Sequence, residues 1–251
     1  MTGPGSEASA SDLLSNRLLA TFPEDLLDRI RERADIVYLD EGTVVLSRGK
    51  DVTRSLFPLG QTMISLNAEL ENGRSVEVAS IGREGAIGGI VSCGHAPAFA
   101  RAEVIVAGRA LSLPMEFVEA SKAQSGHLRN LFCRYADYLL AQIMQSVACN
   151  AFHPIEARAA RWLLTAQDRA GDRIALTQES LAGLLGVQRT TINAVARDMQ
   201  DAGLIAIRRG AIEILDRDGL TARSCSCYDS VERFFGYIIG DSGTGGNEGC
   251  D

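Results

Sequence analysis

The chain has no uncharged apolar run of about 18 residues, so nothing in it reads as a membrane span. It has no basic start followed by an apolar core, so its opening "MTGPGSEASASDLLSNRLL" does not read as a signal peptide. Residues 1–11 are expected to be a mostly disordered leader, and the protein to stay in the cytoplasm. No P-loop, G-x-S-x-G, H-E-x-x-H or Rossmann glycine pattern occurs, which sets enzyme chemistry aside and predicts no catalytic residue. No C-x-x-C pair occurs among the six cysteines, Cys93, Cys133, Cys149, Cys225, Cys227 and Cys250. Only Cys225-Ser-Cys227 is close in sequence, a spacing too sparse for a zinc framework. Free thiols are expected, Cys225, Cys227 and Cys250 as exposed thiols of a C-terminal tail, with no metal and no cofactor. The histidines His95, His127 and His153 make no metal triad, and His153 is assigned to a helix start. Positive charge is in deficit: 25 Lys and Arg against 32 Asp and Glu, net -7, which argues against indiscriminate coating of nucleic acid.

The deficit is uneven. Residues 154–215 hold 8 basic and 7 acidic residues, net +1, which leaves room for a local phosphate-binding face. The chain is long enough for one large or two ordinary domains. Residues 12–34 carry Leu13, Leu14, Leu18, Leu19, Leu26, Leu27 and Ile30 at helical spacing, with Pro23 at the start of a second short helix. From Ala34 to Pro114 the period changes to short β-type runs such as "TVVL", "TMISL", "SVEVASI" and "AEVIVAG", separated by glycine turns. Asn72-Gly73 suggests a two-residue hairpin turn with positive φ at both positions. These features predict an antiparallel sandwich or barrel from Ala34 to Pro114, within a domain placed at residues 12–125.

After Gly126 a helix of about 25 residues is predicted, without internal Pro or Gly. Its stripe Leu128, Leu131, Tyr135, Leu139 and Gln142 fits either a helix packed on its own domain or a homodimer seam over residues 126–151, and the seam is favoured once the resemblance given below is added. His153-Pro154 marks a break, and a second domain is placed at 152–225, followed by a C-terminal extension at 226–251.

"LTQESLAGLLGVQRTTINAVARDMQDAGLI", residues 176–205, has the spacing of a helix-turn-helix. Thr177 caps a helix that buries Leu181, Leu184 and Leu185. Gly186 stops it in the left-handed region. A second helix, Arg189 to Ala202, buries Ile192, Val195, Ala196 and Met199. A hairpin follows, with Ile205, Ile207, Ile212 and Ile214 alternating about Arg208-Arg209-Gly210-Ala211, which makes the unit winged. Early residues of such a second helix enter the major groove. Arg189, Thr190 and Asn193 are therefore assigned to bases, since Arg matches guanine and Asn adenine. Thr177, Gln178, Thr191, Arg197, Arg208 and Arg209 are assigned to phosphates, which set position but not sequence.

These segments, with "FHPIEARAARWLL" and "ASIGREGAIGG", give residues 12–225 a resemblance to the Crp/Fnr superfamily of bacterial transcription regulators. The resemblance implies an α+β chain: an antiparallel β-roll of the cyclic-nucleotide-binding type, a long dimerisation helix and a winged helix-turn-helix. It implies a homodimer on a palindromic operator in double-stranded DNA, with RNA polymerase as a further partner. It places Arg189 on the principal base-contacting arginine. Thr190 falls where the cyclic-AMP receptor has a base-reading glutamate, and Ala194 replaces a further arginine.

The effector site departs from the family pattern. The turn Gly85-Ala86-Ile87-Gly88 lacks the carboxylate that binds the ribose of a cyclic nucleotide. Arg101 stands one place off the register of the phosphate-gripping arginine, which on a strand is the opposite face. These five residues are the candidate effector pocket, its effector unknown, and tight cyclic-AMP binding is not expected. Residues 1–92 hold no cysteine, which argues against an N-terminal iron–sulfur cluster. The competing reading is a ligand-binding regulatory module that acts on a protein partner, which would need no wing arginines.

Overall fold

The computed structural model describes residues 6–89 and 97–240, so Cys93, His95 and Cys250 lie outside the described residues. The chain opens with β1 (Ser6–Glu7) and α1 (Ala10–Ser15). Ser9 caps α1 by accepting from the Asp12 amide, while the Asp12 carboxylate accepts from the Ser9 amide. Residues 6–11, expected to be part of a disordered leader, are therefore ordered: β1 pairs with the next strand and α1 starts at Ala10. The rest of that expectation, residues 1–5, falls outside the described residues. A short 3-10 turn leads to α2 (Glu24–Arg31), with Pro23 at its N-cap and Leu26, Leu27 and Ile30 buried.

Seven strands follow: β2 (Asp35–Leu39), β3 (Val44–Leu46), β4 (Arg54–Pro58), β5 (Met63–Glu69), β6 (Ser75–Ile81), β7 (Arg101–Val106) and β8 (Gly108–Pro114). They build two facing antiparallel sheets, β1-β2-β8-β4 and β3-β7-β5-β6. Leu39, Ile64, Ile81, Ile87, Ala102, Val104 and Ala110 fill the space between them. The β5–β6 hairpin differs from expectation. Leu70 donates its amide to the Arg74 carbonyl, so three residues, Glu71-Asn72-Gly73, form the loop, and only Gly73 has positive φ. One left-handed glycine closes a three-residue loop at less strain than two left-handed positions.

Then come α3 (Met115–Gln124) and the 27-residue α4 (Gly126–Phe152), capped by the Ser125 hydroxyl. The face of α4 assigned to a dimer seam points elsewhere. Leu128, Leu131, Tyr135 and Gln142 are buried within this chain, and Leu139 is half-buried against the same core, beside Phe57, Leu111 and Leu113 of the roll. The helix is apolar on two faces, and its own domain takes the bulkier one. The exposed positions Cys133, Asp137, Leu140, Met144, Val147 and Ala151 recur at alternate spacings of four and three, a heptad seam. Leu140, Met144 and Val147 are 52%, 59% and 65% exposed.

The remaining elements are α5 (Ile155–Ala170), β9 (Arg173–Ile174), α6 (Gln178–Leu185), α7 (Arg189–Asp201), β10 (Ile205–Arg208), β11 (Ala211–Ile214), α8 (Arg217–Arg223) and α9 (Cys227–Phe235), the last running into a π turn to Gly240. Their core gathers Trp162, Leu163, Leu181, Leu185, Ile192, Met199, Ile205 and Ile212, and it also takes in Met63, Ile105 and Val106 of the roll. The two units are therefore packed together. Residues 227–240, expected as part of a C-terminal extension, fold back onto α4: the Phe235 ring lies 4.8 Å from Tyr138. Among the described residues, no helix is long and apolar enough to cross a membrane.

Candidate nucleic-acid interface

The winged unit is built by local rules that its sequence states. The Thr177 hydroxyl accepts from the Ser180 amide at 3.0 Å and starts α6. At its end Gly186 adopts φ +68°; its amide donates to the Gly183 carbonyl and that of Val187 to Ala182. The same arrangement closes α7. Gly203 has φ +74°, with Gly203 donating to Gln200 and Leu204 to Met199. Ala182 is buried between the helices, where its size permits close crossing. Ile192, Val195, Ala196 and Met199 hold α7 on that core. In the wing, Arg208 pairs with Ala211 across the Arg209-Gly210 turn, and Gly210 supplies positive φ. The structure adds β9, which pairs Ile174 with Ile212 and pins the wing to the end of α5; two residues are too few to show a strand period in sequence.

Arg189, Thr190, Ala194 and Arg197 are exposed on α7. Arg189 touches Glu179 at 3.3 Å, both side chains mostly exposed, so the pair is weak and its guanidinium can be drawn to a stronger partner. Asn193 and Thr191 are half-buried, and the Asn193 Oδ1 is buried with no hydrogen-bond partner, so Asn193 is the least accessible of the three residues assigned to bases. Thr177 is exposed and Gln178 half-buried at the start of α6. At the wing tip Arg208 is engaged by Glu213 at 3.0 Å, whereas Arg209 is exposed and makes no ion pair among the described residues. One cation at each reading surface is therefore held by a neighbouring carboxylate, and one is open.

The five residues of the candidate effector pocket are not brought together. Gly85 to Gly88 form a packed turn. The Tyr135 hydroxyl donates to the Ala86 carbonyl and accepts from its amide, both at 3.0 Å. A side chain at Gly85 would overlap that hydroxyl, and Asn16 donates to the Gly85 carbonyl. Ala102 faces the roll interior with Ile87, while Arg101 faces outward to Glu69 and Glu103. Strand alternation alone separates them. Arg101 instead lines a cleft of about 240 Å³ between the roll and α6, opposite Leu176, Ser180 and Leu184. A larger cavity, about 580 Å³, opens in the roll beside Val37, Leu39, Val45, Leu56, Lys50 and Arg54, and the five predicted residues do not line it.

The Gly82–Gly85 turn is also tied to the winged unit, a link that sequence reading missed. Arg169 of α5, 4% exposed, donates to the Glu84 carboxylate at 2.8 Å, to the Thr165 carbonyl at 3.0 Å and to the Tyr138 hydroxyl at 3.4 Å. The Trp162 indole donates to Glu77 of β6 at 2.7 Å. Burial raises the Glu77 carboxyl above the ordinary range, partly offset by hydrogen bonds from Ser65 and Trp162.

A second group was missed. Cys149, His153, Cys225 and Cys227 converge, with all four potential ligand atoms within 4.8 Å of one another. Cys225 and Cys227, expected on an exposed tail, are buried. His153 ends α4 rather than starting a helix, and its ring faces Cys227. The Cys149–His153 spacing of four on a helix was the available signal; the return of the chain through α8 was not visible in it.

Comparison with known proteins bears on this architecture. Residues 157–223 match the family described as the Crp-like helix-turn-helix domain. A 72-residue stretch is 42% identical to the HTH-type transcriptional regulator Cmr of Mycobacterium tuberculosis, a match that spans 28% of this chain and 28% of that protein. FixK2 of Bradyrhizobium japonicum superposes over 77% of this chain and 98% of its own, with a TM-score of 0.66 and 13% identity. The c-di-GMP-responsive global regulator CLP of Xanthomonas campestris covers 76% of this chain and 99% of its own at a TM-score of 0.61 and 14% identity. A Crp/Fnr-family transcriptional regulator of Thermus thermophilus covers 76% of this chain and 98% of its own at a TM-score of 0.59 and 20% identity. At those identities the structural likeness speaks for the fold, and the matched helix-turn-helix speaks for the reading domain. Residues 157–223 are thus a Crp-like helix-turn-helix domain, and the fold that joins it through one long helix to a β-roll is the fold of these solved Crp/Fnr-type structures.

Proposed function

We propose that this chain binds a palindromic operator as a homodimer, reads it with α7, and does so without control by cyclic AMP. The observation that carries the reading is the disposition of α7. Its buried stripe is held by a core of leucine and isoleucine, and its amino end offers Arg189 and Thr190 to solvent. Arg189 reads a guanine edge, Thr190 the neighbouring base, and Asn193 a base only after its half-buried amide turns outward. Thr177, Gln178, Thr191, Arg197, Arg208 and Arg209 hold phosphates. Two copies meet along the exposed Leu140, Met144 and Val147 of α4, which fits the heptad spacing of that face. Contact with RNA polymerase follows from family resemblance alone.

Independence from cyclic AMP is supported by the closed Gly85–Gly88 turn and by the outward Arg101, already paired with two carboxylates. A cyclic phosphate buried there would find no charge-assisted partner. The test is a gel shift with duplexes selected by the full-length protein. Specific binding should survive competitor DNA, weaken steeply with salt and be unmoved by cyclic AMP. Binding that ignores salt, or that requires the nucleotide, would overturn the reading.

A further inference from the structure

We propose that Cys149, His153, Cys225 and Cys227 form a structural zinc site that clamps the winged unit to the end of the long helix. The ligand set is three thiols and one imidazole. Cys149 Sγ lies 3.5 Å from Cys225 Sγ, and Cys227 Sγ lies 3.4 Å from His153 Nδ1. A tetrahedral Zn²⁺ with Zn–S near 2.3 Å separates its sulfur ligands by about 3.8 Å. The four atoms therefore already stand close to the vertices of one zinc tetrahedron, all within 4.8 Å. Soft thiolates with one imidazole select zinc over the hard cations.

The surroundings suit a closed, structural site. Cys149 and Cys227 are fully buried, and Ala157 packs against the cluster. The Gln145 side-chain amide donates to Cys227 Sγ at 2.9 Å, the kind of outer contact that orients a thiolate ligand. Binding converts three thiols to thiolates, releases three protons to solvent and leaves a complex of net charge -1. Arg158 and Arg161 of α5 lie within electrostatic reach of these sulfurs and offset that charge.

Position gives the site its consequence. Cys149 and His153 are the last turn and the cap of α4, whereas Cys225 and Cys227 flank the α8–α9 turn. One ion thus spans the break at His153-Pro154, tying the end of the long helix to the last segment of the winged unit. This goes beyond the reading of the chain as an operator-binding protein, and metal binding stands or falls without DNA.

The test uses the full-length protein purified under reducing conditions without chelator. Elemental analysis should find one zinc per chain, and replacement by Co²⁺ should give a thiolate charge-transfer band with the intense visible bands of a tetrahedral ion. Gln145→Ala, which leaves the four ligands in place, should weaken zinc binding about 10- to 100-fold. Cys149→Ser and His153→Ala should weaken it further, while Cys93→Ser and Cys250→Ser leave it unchanged. A chelator should lower the melting temperature of the wild type. An octahedral cobalt spectrum, zinc binding weaker than about 10 µM (a binding energy of only about 7 kcal/mol), equal loss in Cys250→Ser, or a Cys149–Cys225 disulfide in the freshly reduced protein would overturn the proposal. Iron in place of zinc on the same four residues would overturn the assignment of the metal.

Discussion

Single side chains divide this protein into groups proposed to touch DNA and groups that hold the two units together. Arg189→Ala should cost about 1–3 kcal/mol of operator binding and relax preference at one base pair in each half-site. Arg209→Ala should weaken all duplexes alike and reduce the salt slope by about one. Competition binding over a salt series separates the two, and an unchanged sequence preference in Arg189→Ala would refute the placement of α7. Arg208, engaged by Glu213, should matter less than Arg209. Inside the interface, Arg169→Ala should destabilise the fold by about 3–5 kcal/mol, because Glu84 is left buried with its charge uncompensated. Urea denaturation measures this, and a loss below about 1 kcal/mol, the scale of an exposed pair, would contradict the buried pairing.

Glu77 adds a pH dependence of definite sign. Its carboxyl is raised in the native state, chiefly by burial, above the ordinary value of 4.5. Its contribution is complete below that value, where folded and unfolded chains are both protonated. It is lost as pH rises through the raised native value, because the unfolded chain ionises first. Glu77→Gln keeps an oxygen to accept from Trp162 and has no titration. Relative to the wild type, the variant should therefore gain stability as pH rises above 4.5 toward neutral. Parallel denaturation midpoints across that range would contradict the argument.

At the scale of elements, the sequence was most legible where local rules decide. Thr177, Gly186, Gly203 and the alternating isoleucines fix α6, α7 and the wing by capping, positive φ and strand period, and the structure follows them. The long helix was legible in extent but not in orientation. With apolar residues on two faces, periodicity cannot say which face meets its own roll, and the pattern Leu128–Gln142 turned inward. The heptad face Leu140, Met144 and Val147 remained exposed. Replacing Leu140 and Val147 together by Glu should therefore yield monomers with a folded roll, detectable by light scattering, and weaken operator binding. Persistence of a dimer would move the seam elsewhere. Arg169–Glu84 and the Cys₃His group were illegible for one shared reason: their partners are 85 and up to 78 residues apart (169 − 84, 227 − 149), beyond any local pattern.

The whole molecule is a roll and a winged unit packed together, and one turn of the roll gathers bonds from three other elements. Residues 82–86 are bonded to α4 through Tyr135, to α5 through Arg169 and to the N-terminal segment through Asn16. A ligand that bound the roll more tightly in one arrangement than another would bias all three at once, and differential affinity is the only means by which it can act. The account's central claim, two α7 helices presented together by a dimer, is tested most directly by selecting duplexes from a random pool with the full-length protein and sequencing those retained. The prediction is two inverted half-sites with centres about 34–36 Å apart, one helical turn of DNA. Enrichment of a single half-site, or of no sequence at all, would contradict it.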